Sequence, residues 1–185
     1  MENANSTFNR RTLGLTALAF TISACSASST EAETGNAKLP KGSGTDYAKD
    51  NAMSDTNWAN LTKSEWQDRL TEQEFYVLRK EGTERPFTSP LNDEKRAGTF
   101  VCAGCALPLF KTEHKFDSGT GWPSFFDIIP DAIETKKDFK LVVPRTEYHC
   151  ARCGGHQGHV FKDGPRPTGL RYCNNGIALD FIKDA

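Results

Sequence analysis

Thr99-Phe-Val-Cys-Ala-Gly-Cys105 carries a short apolar run into two cysteines spaced C-x-x-C, and Cys150-Ala-Arg-Cys153 repeats that spacing after an interval of 44 residues. A tight turn within each pair presents two thiolates to one ion. Two such knuckles complete the tetrahedral four-sulfur shell of a structural zinc, one Zn2+ per chain. With sulfur in all four positions no ligand site stays open for water, so the expected metal staples strands and takes no part in chemistry. Three other readings use the same cysteines. One is a disulfide framework, natural in an exported protein. Another is a thioredoxin-like redox pair, which wants a βαβ context that the flanking sequence lacks. The third places His149 where one cysteine ligand would stand.

Around the two pairs the apolar runs are short and strand-like: 99–101, 125–129, 139–143, 159–161, 171–173 and 177–182. Pro and Gly turns separate them with no helical segment between, which predicts antiparallel pairing. Ahead of them the chain is helical. Thr62-x-x-Glu65 and Thr71-x-x-Glu74 are both capping-box patterns, in which hydroxyl and carboxylate each satisfy an otherwise unpaired amide. Trp66 and Leu70 lie one turn apart, as do Glu74 and Leu78 with Phe75 beside them, and Gly82 is placed to stop the second helix. The expected fold is therefore mainly β: a small antiparallel domain of two packed sheets, with short N-terminal helices and a zinc knuckle.

The first quarter of the chain reads as an address. Arg10 and Arg11 precede the apolar run from Leu13 to Ala24, which ends at Cys25. The run falls short of the ~20 residues that a spanning helix needs, and its basic start and small-residue end fit a secretory signal over 1–24. Ile22-Ser-Ala-Cys25 resembles a lipobox, whose cysteine would be lipidated and would hold the chain to a membrane by that anchor alone. Ordinary cleavage near Ala24 is the alternative. Asn9-Arg-Arg-Thr-Leu-Gly-Leu15 also resembles a twin-arginine export signal, and Ser26 is no retention signal. Residues 26–56 hold only Leu39, Tyr47 and Met53 as large apolar side chains, too few to offset the entropy of ordering, so 25–56 is expected to be anchor and tether. The working domain is 57–183, and the expected location is the bacterial periplasm or cell envelope.

Size and charge exclude several classes. The chain has 185 residues, 37% hydrophobic and 25% charged, with net charge −1. That is room for one domain and an accessory segment, and it rules out a multi-span membrane protein. Without a basic excess to neutralise phosphates, no nucleic-acid partner is expected.

Of the six cysteines, four form the pairs and Cys25 belongs to the leader, which leaves Cys173 in Gly169-Leu-Arg-Tyr-Cys-Asn-Asn175. His156 and His159 lie upstream in Cys153-Gly-Gly-His-Gln-Gly-His-Val-Phe161. A lone cysteine with histidines elsewhere in the chain is a candidate nucleophile, and Arg171 or a protonated histidine would favour its thiolate. A buried inert cysteine, and histidines serving as zinc ligands or a polar pair, are the competing readings.

Thr120-Gly-Trp-Pro-Ser-Phe125, both C-x-x-C pairs, 154–161, Asp163-Gly-Pro-Arg-Pro-Thr-Gly169 and Arg171-Tyr-Cys-Asn-Asn175 occur at compatible spacing. Together with Gly82-Thr-Glu-Arg-Pro-Phe87 they resemble the B-type methionine sulfoxide reductases, the peptide-methionine (R)-S-oxide reductases, from about Trp66 to Phe181. The resemblance implies an oxidoreductase in which Cys173 attacks the sulfoxide sulfur, releases methionine and becomes a sulfenic acid. It implies His159 as the acid, assisted by His156 and Asn175 through water. Trp122 would receive the substrate ε-methyl, with Arg171 also in the substrate site and the zinc purely structural. Substrates would be oxidised proteins or peptides carrying methionine-R-sulfoxide. Many members carry a resolving cysteine where this chain has Thr120, so the implied reductant is an external, thioredoxin-like thiol. Two rivals from other classes are a lipid-anchored zinc-ribbon binding module and a general thiol oxidoreductase working through metal-free C-x-x-C pairs.

Overall fold

The computed structural model describes residues 56–139 and 144–185. The leader 1–24, the Cys25 anchor, the tether up to 55 and the expected strand residues 140–143 lie outside the described residues. No helix among the described residues is long and apolar enough to cross a membrane.

Two helices open the domain, α1 (Lys63–Arg69) and α2 (Glu72–Lys80). Both expected capping boxes form. Glu65 N donates to Thr62 Oγ1 at 3.3 Å while Thr62 N donates to the Glu65 carboxylate at 2.7 Å, and Thr71 and Glu74 repeat the arrangement at 3.3 and 2.9 Å. The stop of α2 differs from expectation. Glu81, not Gly82, takes the left-handed conformation (φ 54°), and Gly82 N closes the turn onto Tyr76 O at 3.0 Å. Gly82 matters for space, since a Cβ there would lie 2.2 Å from the Tyr76 ring. The buried faces of the helices carry Trp66, Leu70, Phe75, Val77 and Leu78.

Among the described residues nine strands follow: β1 (Gly98–Cys102), β2 (Pro108–Lys111), β3 (Lys115–Phe116), β4 (Ser124–Phe125), β5 (Ile133–Asp138), β6 (Arg145–Cys150), β7 (His156–Phe161), β8 (Arg171–Asn174) and β9 (Leu179–Lys183). They form a three-stranded sheet ordered β2-β1-β9 and a six-stranded sheet ordered β3-β4-β8-β7-β6-β5, antiparallel throughout. The sheets meet through aromatic rings. Phe110 of the smaller sheet stacks on Phe125 of the larger at 4.1 Å and 9°, and Phe100 meets Phe125 edge-on at 5.0 Å. Such pairs add about 1 kcal/mol each beyond burial. The mainly β fold with two antiparallel sheets and short leading helices is as expected.

Differences lie in strand extent. Of the run 125–129 only Phe125 lies in a strand, with Ser124 as β4. Beyond it Phe126 N donates to His114 O and Ile129 N to Leu109 O, both at 2.9 Å, and Asp127 Oδ1 accepts from Ile128 N at 2.8 Å. The run 177–182 begins with a 3-10 turn at Gly176–Ala178, and pairing starts at Leu179. Strands β2, β3, β5 and β6 carried no expectation. β5 reads Ile-Glu-Thr-Lys-Lys-Asp and forms one edge of the larger sheet with its middle four residues exposed.

Candidate active site and metal centre

Both cysteine knuckles are hairpin tips with the same local geometry. Between β1 and β2, Ala106 N donates to Cys102 O at 2.8 Å and Ala106 is left-handed (φ 61°). Between β6 and β7, Gly154 N donates to Cys150 O at 2.8 Å with Gly154 at φ 66°. One tip comes from each sheet. They bring the four Sγ atoms within 4.8 Å of one another, all four residues buried, with Cys102–Cys153 at 3.7 Å and Cys105–Cys150 at 3.5 Å. A tetrahedron with metal–sulfur bonds of about 2.3 Å has edges of about 3.8 Å, so the cluster has the size of a four-cysteine zinc shell and is far too open for disulfides. Four thiols so close can all be thiolate only around a cation. The donor atoms that come together are those of the four cysteines and not of His149, whose Nε2 faces Glu134 at 3.2 Å. Arg79 stacks on Trp66 at 4.4 Å and donates to Cys153 O at 2.9 Å, which seats the helices on the cluster.

On the other part of the larger sheet, strand register builds a row. Ser124 of β4 stands opposite Cys173 of β8, Cys173 opposite His159 of β7, His159 opposite Glu147 of β6, and Glu147 opposite Lys136 of β5. Directly opposed residues in antiparallel strands share a face, so the nucleophile candidate and its histidine are nearest neighbours. Tyr172 and Phe125, one residue displaced, point into the aromatic core instead.

His159 and the polar side chains next to the row are held by charged partners. His159 Nε2 and Asp138 Oδ2 are 2.8 Å apart, and Arg145 donates to the same carboxylate oxygen at 2.6 Å. His156 is buried, with Nδ1 at 2.8 Å from Glu147 Oε1 and its ring 5.6 Å from that of His159. Burial outweighs the pull of Glu147 and lowers the His156 pKa, which favours the neutral ring. Arg171 forms a two-pronged pair with Asp163 at 2.9 and 2.8 Å and lies over Phe161 at 4.4 Å.

Cys173 is half-buried. Burial pushes its thiol above the ordinary cysteine value, partly opposed by the Arg171 charge and by hydrogen bonds from Thr120 and Arg171. Cys173 is therefore a thiol at neutral pH. Its alkylation rate by iodoacetamide, read by peptide mass, is expected to rise about tenfold per pH unit from about 7 to 9, following the thiolate fraction. Arg171→Met removes an opposing charge, raises the pKa further and slows the reaction several-fold at about pH 8. A rate already at plateau near neutral pH would refute this account.

Trp122 and Asn175 are joined by a residue that sequence reasoning quoted without a role. Trp122 Nε1 donates to Glu84 O at 3.2 Å, and Glu84 N donates to Asn175 Oδ1 at 3.0 Å. The Glu84 carboxylate accepts from Gly176 N and Ile177 N at 2.5 and 3.0 Å. Asn175 also donates from Nδ2 to Gln157 O at 2.9 Å. Glu84, Asp138 and Glu147 were all missed as partners. The available signal was chemical: buried histidines and a loop indole need acceptors. Trp122 also walls a cavity of about 460 Å³ with Phe87, Phe116 and Lys115, and Cys173 is not among the residues that line it.

Gly158 lies between the two histidines, opposite Asn174. A Cβ there would sit 1.9 Å from the Cys173 carbonyl oxygen. Because that contact is backbone, Gly158→Ala is expected to cost about 3 kcal/mol and to displace Cys173, measured by urea unfolding together with Cys173 alkylation.

Among known families, the SelR domain profile matches residues 70–183. The chain is 54% identical over 119 residues to the peptide methionine sulfoxide reductase MsrB of Leifsonia xyli, covering 63% of this chain and 86% of that protein. It is 48% identical over 132 residues to the protein of the same name from Agrobacterium fabrum, covering 70% and 98%. Similarity extends to the chloroplastic peptide methionine sulfoxide reductase B1 of Arabidopsis thaliana, 49% identical over 123 residues, covering 66% of this chain and 61% of that one.

Proposed function

This chain belongs to the SelR-domain family of MsrB-type peptide methionine sulfoxide reductases, and from that premise we propose that it reduces methionine-R-sulfoxide in proteins and peptides, using Cys173 as nucleophile. The observation that carries the reading is the direct opposition of Cys173 and His159 across β8 and β7, with Arg171 beside the sulfur.

The residues divide the work as follows. Cys173 gives its thiol proton to His159 and attacks the sulfoxide sulfur as a thiolate, and that proton is delivered to the sulfoxide oxygen, which is otherwise a poor leaving group. His159 supplies the proton from the ring nitrogen that does not face Asp138. His156 supports it as a neutral neighbour, and the amide hydrogen that Asn175 retains after its bond to Gln157 is a donor for the oxygen or its water. The oxygen passes to Cys173, methionine leaves, and the two electrons gained by the substrate are those lost by Cys173 as it becomes a sulfenic acid. Trp122, its N–H tied to Glu84, offers an apolar face to the ε-methyl. Methyl on one side and donors on the other select one sulfur configuration, here R.

The cysteines among the described residues are the four of the cluster and Cys173. Thr120 stands beside Cys173 where a resolving thiol would be useful. Recycling therefore uses external thiols: the first forms a mixed disulfide with Cys173 and releases water, and the second frees Cys173. A thioredoxin-like partner fits this role. The cluster would hold Zn2+, which on binding supplies cross-linking of the two sheets. Export through the leader and lipid attachment at Cys25 belong to the same reading, supported by Arg10, Arg11 and the apolar run up to Cys25. They would place the domain among envelope proteins exposed to oxidants.

The test is one turnover without reductant. The full chain, incubated with a methionine-R-sulfoxide peptide and dimedone, is expected to release reduced peptide and to carry one dimedone on Cys173. Thr120→Cys is expected to lose two hydrogens in a 120–173 disulfide instead. Unreduced peptide in both samples would defeat the proposal.

A further inference from the structure

Beneath the row of Cys173 and His159, on the core side of the sheet, runs a buried chain of polar side chains. Gln157 and Asn174 are both fully buried, as is Tyr148. Gln157 Nε2 donates to Cys102 Sγ at 3.4 Å. Gln157 Oε1 accepts from Asn174 Nδ2 at 3.4 Å, and Asn174 Oδ1 accepts from Tyr148 Oη at 2.6 Å. Asn174 Nδ2 also donates to Asn175 O at 2.8 Å. One end of this chain touches a sulfur of the metal cluster. Its far end grips the residue that follows Cys173.

The polarity of the chain has a single source. A metal-bound thiolate only accepts, so the Gln157 amide must turn its N–H₂ towards Cys102. Its oxygen then faces Asn174 and must be met by N–H₂, and the Asn174 oxygen must be met by the Tyr148 hydroxyl hydrogen. All three dipoles point their positive ends towards the cluster. That orientation suits four thiolates around one divalent ion, a group carrying net negative charge, and aligned dipoles strengthen one another in a dry interior. Arg79 and Arg152 add positive charge at the carbonyls of Cys153 and Cys105, at 2.9 and 3.1 Å.

We propose that Gln157 and Asn174 are positioning residues that couple the charge on the metal cluster to the strand carrying Cys173. The cluster then does more than staple two sheets: it orients the side chain adjoining the nucleophile. This inference rests on the proposed function only in giving Cys173 its chemical role. The coupling itself is read at the metal, so the two can fail separately.

The experiment uses the full chain loaded with Co2+, recording the thiolate-to-cobalt charge-transfer band and the rate of Co2+ transfer to a chromophoric chelator. Removing an N–H from a metal thiolate raises the energy of the sulfur lone pair, so Gln157→Leu is expected to shift the band to longer wavelength. Metal loss is expected to quicken about ten- to a hundredfold, the usual effect of losing a ligand's hydrogen-bond partner. Tyr148→Phe removes one hydroxyl that touches neither metal nor ligand. It is expected to shift the band the same way by less and to quicken release about twofold to threefold, through weakened polarisation of the chain. Cys173 alkylation in Tyr148→Phe is expected to change with it. A Gln157→Leu protein with the wild-type band and release rate would overturn the coupling at its first link. A Tyr148→Phe protein indistinguishable from wild type in all three readouts would overturn it at the last, leaving Gln157 a local partner of Cys102. Should Gln157→Leu fail to fold, Gln157→Met takes its place, and the Tyr148→Phe result decides in either case.

Discussion

Cys173→Ser is expected to lower reduction of a methionine-R-sulfoxide peptide by a factor on the order of 10⁴ or more, to the level of the uncatalysed reaction. A serine hydroxyl is almost never ionised near neutral pH and cannot carry the sulfoxide oxygen as a sulfenic acid does, so both attack and oxygen transfer fail. The fold should tolerate the change, because Cys173 is not part of the aromatic core and serine is nearly its size. Matching circular dichroism and thermal transitions, with activity lost, would establish the chemical role. Residual turnover within about tenfold of wild type would mean that another thiol of the chain, Cys25 or one in the metal cluster, performs the reaction.

Removing the metal is expected to have the larger effect on the fold. The cluster joins a hairpin of the three-stranded sheet to a hairpin of the six-stranded sheet and seats α2 through Arg79. Structural zinc contributes about 10–16 kcal/mol of apparent binding free energy at neutral pH, comparable to or above the roughly 5–15 kcal/mol net stability of a whole domain. Cys150→Ala, or stripping the wild type with a strong chelator, should therefore abolish the cooperative thermal transition, with far-UV circular dichroism reporting lost β structure. Because the ligands must be thiolates, the same protein should release metal as pH falls below neutrality. A chelated protein that still melts cooperatively within a few degrees of the loaded form would refute the cross-linking role.

The parts of the fold legible in sequence were those governed by local rules. Thr62 with Glu65 and Thr71 with Glu74 satisfy backbone groups three residues away, and both boxes formed. The C-x-x-C pairs were legible because two sulfurs on a tight turn have few other uses. The stop of α2 was half legible: its place was right, but the left-handed residue is Glu81, while Gly82 answers a tertiary need, the Tyr76 ring. β5 and β6 were not legible, because Ile133-Glu-Thr-Lys-Lys-Asp138 and Arg145-Thr-Glu-Tyr-His-Cys150 carry too few apolar residues for a strand pattern and are set by pairing with each other. Their charges proved to be the backing of the histidines. Asp138 and Glu147 reach His159 and His156 only through register across β5, β6 and β7, which no local motif encodes. Glu84 was hidden for the same reason, since its partners Trp122 and Asn175 are 38 and 91 residues away. The cross-strand row is likewise a property of register, which places Cys173 and His159 side by side although 14 positions separate them in the chain.

The exposed edge formed by β5 has a consequence for the company this protein keeps. An unpaired strand offers its backbone to any other extended chain, and proteins damaged by oxidation are those most apt to expose such chains. Glu134, Lys136 and Lys137 place charges along that edge, a pattern that discourages strand addition. The opposite edge of the same sheet is only two residues long, and β2 at the rim of the smaller sheet opens with Pro108. An enzyme with the proposed function, built this way, would handle half-unfolded clients at a side-chain site while refusing them a place in its own sheets, so it is expected to stay out of their aggregates.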